Sequence, residues 1–405
     1  GYVRWTENRN MQAFIDLKTK KKIDISLLTT HTFDLKDALQ AYQIIMENFQ
    51  HYAGILLRYD IKKAIKKTIC FKTNSKKQNE STKDQSLVPK ISFIGAGSFA
   101  QSSILPFVKN YPLVTVATSQ GHTSKNIARK WKFNTATCDS DEVIKDDSNT
   151  LFITTRHNIH AQYVIKGLKA GKNIFVEKPL CLSEYELETI ADIYKEKSNK
   201  QDIKLMVGFN RRFAPLTQKL RNTFLSGQPK AINYRINSGN IKADSWIQDK
   251  DIGGGRIIGE VCHFIDLAMF IVNSLPNSVF ATAIMDSQNL LDTLNISLTF
   301  KNGSIANISY FSNGSKELKK ERLEVFSNRV SAVIDDFKKL HIYDKNLKKE
   351  SLLNQDKGHK KEVELFLNSV KNRAVSPISF DEIYWVTKVT FDILKSITNN
   401  VVIKY

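Results

Sequence analysis

Five short apolar runs separated by amphipathic helical patterns restrict this chain more than any other feature. Strands that alternate with helices pair in parallel, with the helices crossing over the sheet. The runs are Ile91–Ile94, Leu113–Thr118, Thr150–Thr154, Asn173–Val176 and Lys204–Val207. The helical patterns between them are Phe99–Lys109, Ser124–Trp131, His160–Ala170 and Ser183–Lys197. They predict an α/β fold with a doubly wound parallel sheet. After about residue 230 the pattern changes to longer alternating strands, Ala231–Asn237, Ser278–Met285, Leu294–Phe300 and Ser304–Phe311. The last two are joined through Lys301-Asn302-Gly303, where Asn-Gly offers the positive φ angles of a tight hairpin. This second half is expected to be an α+β domain on an open, mainly antiparallel sheet.

Gly95-Ala-Gly97-Ser-Phe-Ala100 leaves the first strand and opens the first helix. Gly95 permits the tight turn, Gly97 lets backbone approach a pyrophosphate, and Ala100 gives the small third position that helix–strand packing needs. A dinucleotide site follows, or else a glycine-rich turn that holds no ligand. The acidic residue expected at the end of the second strand, where it would bind a ribose 2′-hydroxyl, is missing. That strand ends Ala117-Thr118-Ser119-Gln120, with Lys125 and Arg129 on the next helix. Without the carboxylate a 2′-phosphate is not repelled, so NAD or NADP is expected with a slight lean to NADP. The fourth of these runs ends Phe175-Val-Glu177-Lys178-Pro179. A lysine at the carboxyl end of a parallel strand stands where such sheets bind ligands, and partial burial would suit it to proton transfer.

Of 405 residues, 60 are Lys or Arg and 41 Asp or Glu, a net charge of +19. That balance admits nucleic acid, an anionic membrane or an anionic small substrate as partner. The basic residues are spread along the chain without a nucleic-acid-binding motif, so nucleic acid is not expected. The longest apolar stretch, Val261–Val272, contains His263 and Asp266 and is too short for a bilayer, which takes about 20 residues. It reads as a buried helix, and no transmembrane segment is expected. Cys70, Cys138, Cys181 and Cys262 have neither disulfide-framework nor metal-site spacing, so no metal is expected and a reducing, cytoplasmic compartment fits. Residues 60–89, rich in lysine, read as a basic linker, and Ile61–Ile69 as a basic amphipathic helix candidate. The domains are then placed at 90–212 for dinucleotide binding and 213–405 for substrate binding and oligomerisation.

The motifs together carry a resemblance. Gly95-x-Gly97, Thr155-Arg-His-Asn-Ile-His160-Ala161, Glu177-Lys178-Pro179, Gly208-Phe-Asn-Arg-Arg-Phe213 and Gly253-Gly-Gly-Arg-Ile-Ile-Gly-Glu-Val-Cys-His263-Phe-Ile-Asp266 occur in that order. With Lys357-Gly-His359 and a helical ending, residues 90–405 resemble the Gfo/Idh/MocA oxidoreductases. The resemblance implies a Rossmann domain and a nicotinamide-dependent oxidoreductase acting on a sugar, cyclitol or nucleotide sugar. It gives Lys178 and His263 the catalytic roles, and places the cofactor against Gly95, Gly97, Ser98, Phe99, Ala100, Thr118, Ser119, Thr155, His157, His160, Glu177 and Lys178. A histidine titrates near neutrality and suits the base, while lysine can hydrogen-bond the reacting oxygen. Taken alone, His263 in an apolar helix is more often a core histidine, and the preceding Gly253-Gly254-Gly255 and the paired Lys178 motif reverse that reading.

Two departures stand out. Gly259 occupies the place of an aspartate four residues before the histidine. Glu260 and Asp266, each three residues from His263, would share its helix face, so Glu260 is expected to orient the imidazole. Arg156 replaces the usual proline after Thr155. Arg156, Arg211 and Arg212 are candidates to grip a carboxylate or phosphate of the substrate, with an interdomain salt bridge as the other reading of Arg211 and Arg212.

Residues 1–59 are similar to the C-terminal end of zinc-type medium-chain alcohol dehydrogenases, through Arg4-Trp-Thr-Glu-Asn-Arg-Asn-Met11, His31-Thr-Phe-Asp-Leu-Lys-Asp-Ala38, Ala41-Tyr42 and Gly54–Tyr59. That family's zinc ligands and glycine-rich loop are not in this stretch. The expectation is a two-oxidoreductase fusion lacking its front half, like the bidomain oxidoreductases of bacterial surface-polysaccharide biosynthesis, and self-associating. A non-catalytic dinucleotide-binding module is the competing reading.

Overall fold

The computed structural model describes residues 5–62, 66–71, 88–224, 227–242, 244–285 and 290–405. Two compact units divide the chain, Gly1–Lys66 and Lys67–Tyr405. In the first, helix α1 (Glu7–Thr19) is capped by Thr6, whose side chain accepts from the Arg9 amide. Strand β1 (Thr29–Asp34) runs through α2 (Ala38–Glu47) to β2 (Gly54–Arg58), and the two strands pair in parallel. Ala41 and Ile44 of α2 are buried, whereas Tyr42 and Ile45 are exposed. Arg4, at the head of the alcohol-dehydrogenase-like motif, lies outside the described residues.

The second unit opens with a strand that the sequence did not announce, β3 (Thr68–Cys70). It is followed by β4 (Ile91–Ile94), α3 (Ser98–Ser103), α4 (Leu105–Val108), β5 (Leu113–Ala117), α5 (Gly121–Trp131), β6 (Thr135–Thr137) and α6 (Ser140–Lys145). Then come β7 (Thr150–Ile153), α7 (His160–Lys169), β8 (Asn173–Val176), α8 (Glu184–Ser198) and β9 (Leu205–Val207). Among the described residues the sheet order is β3-β6-β5-β4-β7-β8-β9, parallel except that β3 pairs antiparallel to β6. The linker expected over 60–89 is thus corrected near its start, because residues 68–70 belong to the sheet, and residues 72–87 lie outside the described residues. The amphipathic helix expected over 61–69 ends in this strand, and its centre, 63–65, lies outside the described residues. Strands β4, β7 and most of β8 are buried on both faces, as helix-covered parallel strands must be. The winding reverses at β4, which pairs with β5 on one side and β7 on the other, so the glycine loop after β4 leaves at the crevice where such sheets hold ligands.

The rest of the unit is built on α9 (Pro215–Thr223), β10 (Ala231–Asn237), α10 (Cys262–Val272), β11 (Pro276–Ile284), β12 (Thr293–Phe300) and β13 (Ile305–Phe311). Next are β14 (Glu321–Ser327), β15 (Val330–Asp335), β16 (Lys339–Tyr343), β17 (Leu347–Ser351), α11 (His359–Lys371), α12 (Phe380–Asn399) and β18 (Ile403–Lys404). The strands form one sheet, β17-β16-β15-β14-β10-β13-β12-β11-β18, antiparallel except for β10 against β13. In the β12–β13 turn only Gly303 takes a positive φ, +82°; the Asn302 side chain instead accepts from the Ser304 amide and donates to the Val272 carbonyl. Every residue of α10 is buried, as its apolar sequence requires. It follows directly on a π-helical turn, Ile257–Val261.

Candidate active site

The glycine loop has the shape a dinucleotide needs. Gly95 has φ +83°, and a Cβ there would come within 2.6 Å of the Thr154 carbonyl oxygen. Its amide donates to the Ala117 carbonyl (2.9 Å), and its own carbonyl accepts from Thr154 Oγ1 (2.8 Å), so the loop is pinned between β5 and β7. Gly97, by contrast, faces open space, with nothing within 4 Å of where a Cβ would stand. Gly97, Ser98 and Phe99 are exposed, whereas Ala100 is buried beneath them. A pyrophosphate can therefore reach the backbone at Gly97, and the residues fit a dinucleotide. At the end of β5, Thr118 Oγ1 donates to the Gln120 carbonyl (2.8 Å) and Ser119 is exposed.

Three segments distant in sequence meet beside this loop. Strand β8 delivers Glu177 and Lys178, the π-helical turn and the start of α10 deliver Glu260 and His263, and the approach to α11 delivers Lys357 and His359. With Phe99, Gly208, Asn210 and Arg211 they line a cleft of about 190 Å3. Lys178, whose peptide to Pro179 is cis, donates from Nζ to the carbonyl oxygen of Gly259 (2.8 Å). The Phe99 ring meets His359 edge-on at 5.8 Å and links the cofactor loop to the second domain.

His263 lies in the cleft wall, 6% exposed, and its Nδ1 has no hydrogen-bond partner. Burial first, then the positive charges of Arg211, Lys178, His359 and Lys320, hold its pKa well below the ordinary value, so the ring is neutral. Burial works against the carboxylate of Glu260, but Lys320 and Tyr310 outweigh it and bring the pKa down to about 2. Burial raises Glu177, next to Lys178, to about 7.

Several expectations are corrected here. Glu260 does not orient the imidazole: it accepts from Lys320 Nζ (2.6 Å), the Tyr310 hydroxyl and Arg256 Nη2 (3.3 Å). The three-residue spacing assumed an α-helix, whereas a π-helical turn holds Glu260. Asp266 likewise turns away from His263, to Arg212. Arg212 lies outside the cleft, 2% exposed, with Nε on Asp266 (3.1 Å) and Nη1 on Glu382 (2.8 Å), and so has no group left for a substrate. Arg211 does reach the cleft, but Nε and Nη2 are held by Glu321 at 2.8 and 3.0 Å. Glu321 also accepts from Lys357 Nζ (2.8 Å) and the Tyr234 hydroxyl. Arg156 is exposed, outside the cleft lining, with its guanidinium 5.6 Å from the Trp246 ring.

His157 and His160, expected against the cofactor, serve the backbone instead. His157 Nδ1 is 2.7 Å from the Gly253 carbonyl, and His160 Nδ1 is 2.7 Å from the Pro179 carbonyl. Burial lowers the first to about 3 and the second to about 4, so both are neutral donors that brace the two turns of the site. Thr155 is half-buried, its hydroxyl on the Arg156 carbonyl (3.1 Å). Sequence reasoning did not assign Lys320, Tyr310, Glu321, Lys357 or His359 to the site. Of these, only the Lys357-Gly358-His359 motif left a sequence signal.

Residues 90–209 match the family model described as "Oxidoreductase family, NAD-binding Rossmann fold", and residues 224–333 match the "GFO/IDH/MocA C-terminal domain". An uncharacterised oxidoreductase of Bacillus subtilis, YrbE, is 28% identical over 254 residues, 60% of this chain and 72% of that protein. Myo-inositol 2-dehydrogenase of Thermotoga maritima is 28% identical over 201 residues, 47% of this chain, so the chain spans only 58% of that enzyme's length. Among solved structures, levoglucosan dehydrogenase in complex with NADH has a TM-score of 0.68 at 19% identity, covering 78% of this chain and 98% of that one. Through both of its matched domains, the chain belongs to the Gfo/Idh/MocA family of NAD-binding oxidoreductases.

Proposed function

We propose that this chain transfers hydride between a nicotinamide cofactor and a CH–OH carbon of a sugar, cyclitol or nucleotide sugar. The observation that carries the reading is the meeting of Lys178 and His263 in one cleft beside Phe99 of the cofactor loop. When bound along Gly97, the cofactor supplies the hydride acceptor or donor. Lys178, anchored on the Gly259 carbonyl, donates a hydrogen bond to the reacting oxygen and stabilises negative charge there. His263 takes up or returns the hydroxyl proton through a neutral ring. With Arg211, Lys178 and Lys320 close enough to depress it, an imidazolium is disfavoured unless the substrate brings negative charge, which favours an acidic or nucleotide-linked sugar. Lys178→Ala and His263→Ala are each expected to lower turnover by on the order of 100-fold or more while leaving cofactor binding intact. An assay with reduced cofactor against nucleotide sugars, simple sugars and inositols checks this; unchanged turnover in both variants sinks the assignment.

The finer parts of the reading have narrower supports. NADP over NAD rests on the missing carboxylate after β5; titration with both reduced cofactors decides it, and a clear preference for NADH refutes the lean. The fusion with a medium-chain dehydrogenase, and with it a role in surface-polysaccharide biosynthesis, rests on the motifs of residues 1–59. Self-association rests on the open face of the large sheet, and a cytoplasmic location on four unpaired cysteines. A non-catalytic dinucleotide-binding module is favoured by Gly259 and the unpartnered His263 Nδ1, and absence of turnover with any sugar would support it.

A further inference from the structure

A second cleft of about 580 Å3, sharing no lining residue with the first, opens where α9 and α10 end beside the β12–β13 turn. Its polar walls are Arg221, Lys230, Asn222, Asn273 and Asn302. Lys230 is only 5% exposed, and its Nζ donates to the Gln228 carbonyl at 3.1 Å. Arg221 donates from Nη2 to Asn273 Oδ1 (2.9 Å) and stacks 4.1 Å over Phe270. Among the described residues neither cation has a carboxylate partner at ion-pair distance, and no acidic residue lines the cleft. A buried cation is ordinarily paired, and of these two Lys230 is buried while Arg221 is half-buried. Burial lowers both; Arg212 adds repulsion at Arg221, which the charge of Glu382 partly offsets, and Arg221 adds repulsion at Lys230.

We propose that this cleft is an anion site that takes the phosphate group of a small phosphorylated metabolite. Two cations match a phosphate dianion in charge, and the guanidinium and ammonium donors suit its oxygens. The space beyond the two charges, rimmed by amides, exceeds what one phosphate group fills and leaves room for the rest of a sugar-sized molecule. Because the site is remote in lining from Lys178, it stands or falls independently of the hydride-transfer reading.

The test is calorimetric titration of the full chain with inorganic phosphate and, separately, with glucose 6-phosphate. Both are expected to bind saturably, and more weakly as salt rises. Arg221→Gln/Lys230→Gln should weaken both by about tenfold or more, and Lys178→Ala should leave both unchanged. Asn222→Asp, at an exposed rim position, places a negative charge in the cleft with little risk to folding and should also weaken both. Tighter binding of the sugar phosphate supports a phosphorylated metabolite; equal binding supports free phosphate as the occupant of the same site. No saturable binding below about 10 mM, binding unaltered by Asn222→Asp, or binding lost in Lys178→Ala overturns the proposal.

Discussion

Gly259 and His157 show how one residue's identity depends on another's. A Cβ at 259 would stand 2.9 Å from His157 Cε1, so the imidazole occupies the space an aspartate there would need. Gly259→Asp is therefore expected to destabilise the fold by about 1–3 kcal/mol. The double variant with His157→Ala should lose less than the sum of the singles, read as coupling in a denaturation cycle. Additive losses would mean the two sites do not compete for space. Glu260 gives the pH prediction. Its folded pKa of about 2 lies below the ordinary glutamate value of 4.5, so the stability it contributes is present above about pH 4.5 and is lost as pH falls toward 2. The difference corresponds to on the order of 3 kcal/mol. Glu260→Gln should flatten the acid limb of a melting-temperature profile across that window; an unaltered limb would contradict the ion-pair assignment.

Elements with strong periodicity were legible, and elements with weak signals were not. The buried runs of β4, β7 and β8 and the capping box of α8, Ser183 with Glu186, leave little choice of structure. Strands β14 to β17 escaped notice because their turns lack glycine: Asn328 and Arg329 (φ +46° and +64°) make one, and Asp336 and Phe337 (φ +50° and +52°) the next. Such conformations normally call for Asn-Gly or Asp-Gly, so the hairpin signal was absent. Strand β3 escaped because three residues in a lysine-rich segment carry no pattern, and only pairing with β6 makes them a strand. Thr68 Oγ1 lies 2.8 Å from Thr137 Oγ1, and the Phe71 amide donates to the Asn134 carbonyl at 2.8 Å. A chain beginning at residue 88 leaves β6 as an open edge and should melt lower and aggregate more than one beginning at 67. Thermal unfolding with light scattering compares the two, and identical behaviour would show that β3 is dispensable.

For the molecule as a whole, Arg212 has become a fastener rather than a substrate ligand. It follows the last strand of the parallel sheet and binds Asp266 of α10 and Glu382 of α12, tying together parts of the chain separated by 54 and 170 positions. Arg212→Ala leaves two carboxylates without their cation, Asp266 fully buried, and is expected to cost on the order of 3–5 kcal/mol in denaturant unfolding. A variant as stable as the native chain but weaker in substrate binding would restore the other role. The charge excess is also distributed unevenly: nine lysines against Glu80 and Asp84 lie between residues 61 and 90. By itself the sequence determined the doubly wound sheet and the cofactor loop, because local periodicity and backbone requirements are written in consecutive residues, whereas Lys178 and His263 were singled out by the family resemblance. Only the tertiary structure decided which charges face the cleft and which are spent on one another. Glu260, Arg211 and Arg212 find partners up to 170 positions away, and such pairing depends on how domains pack rather than on spacing along a helix.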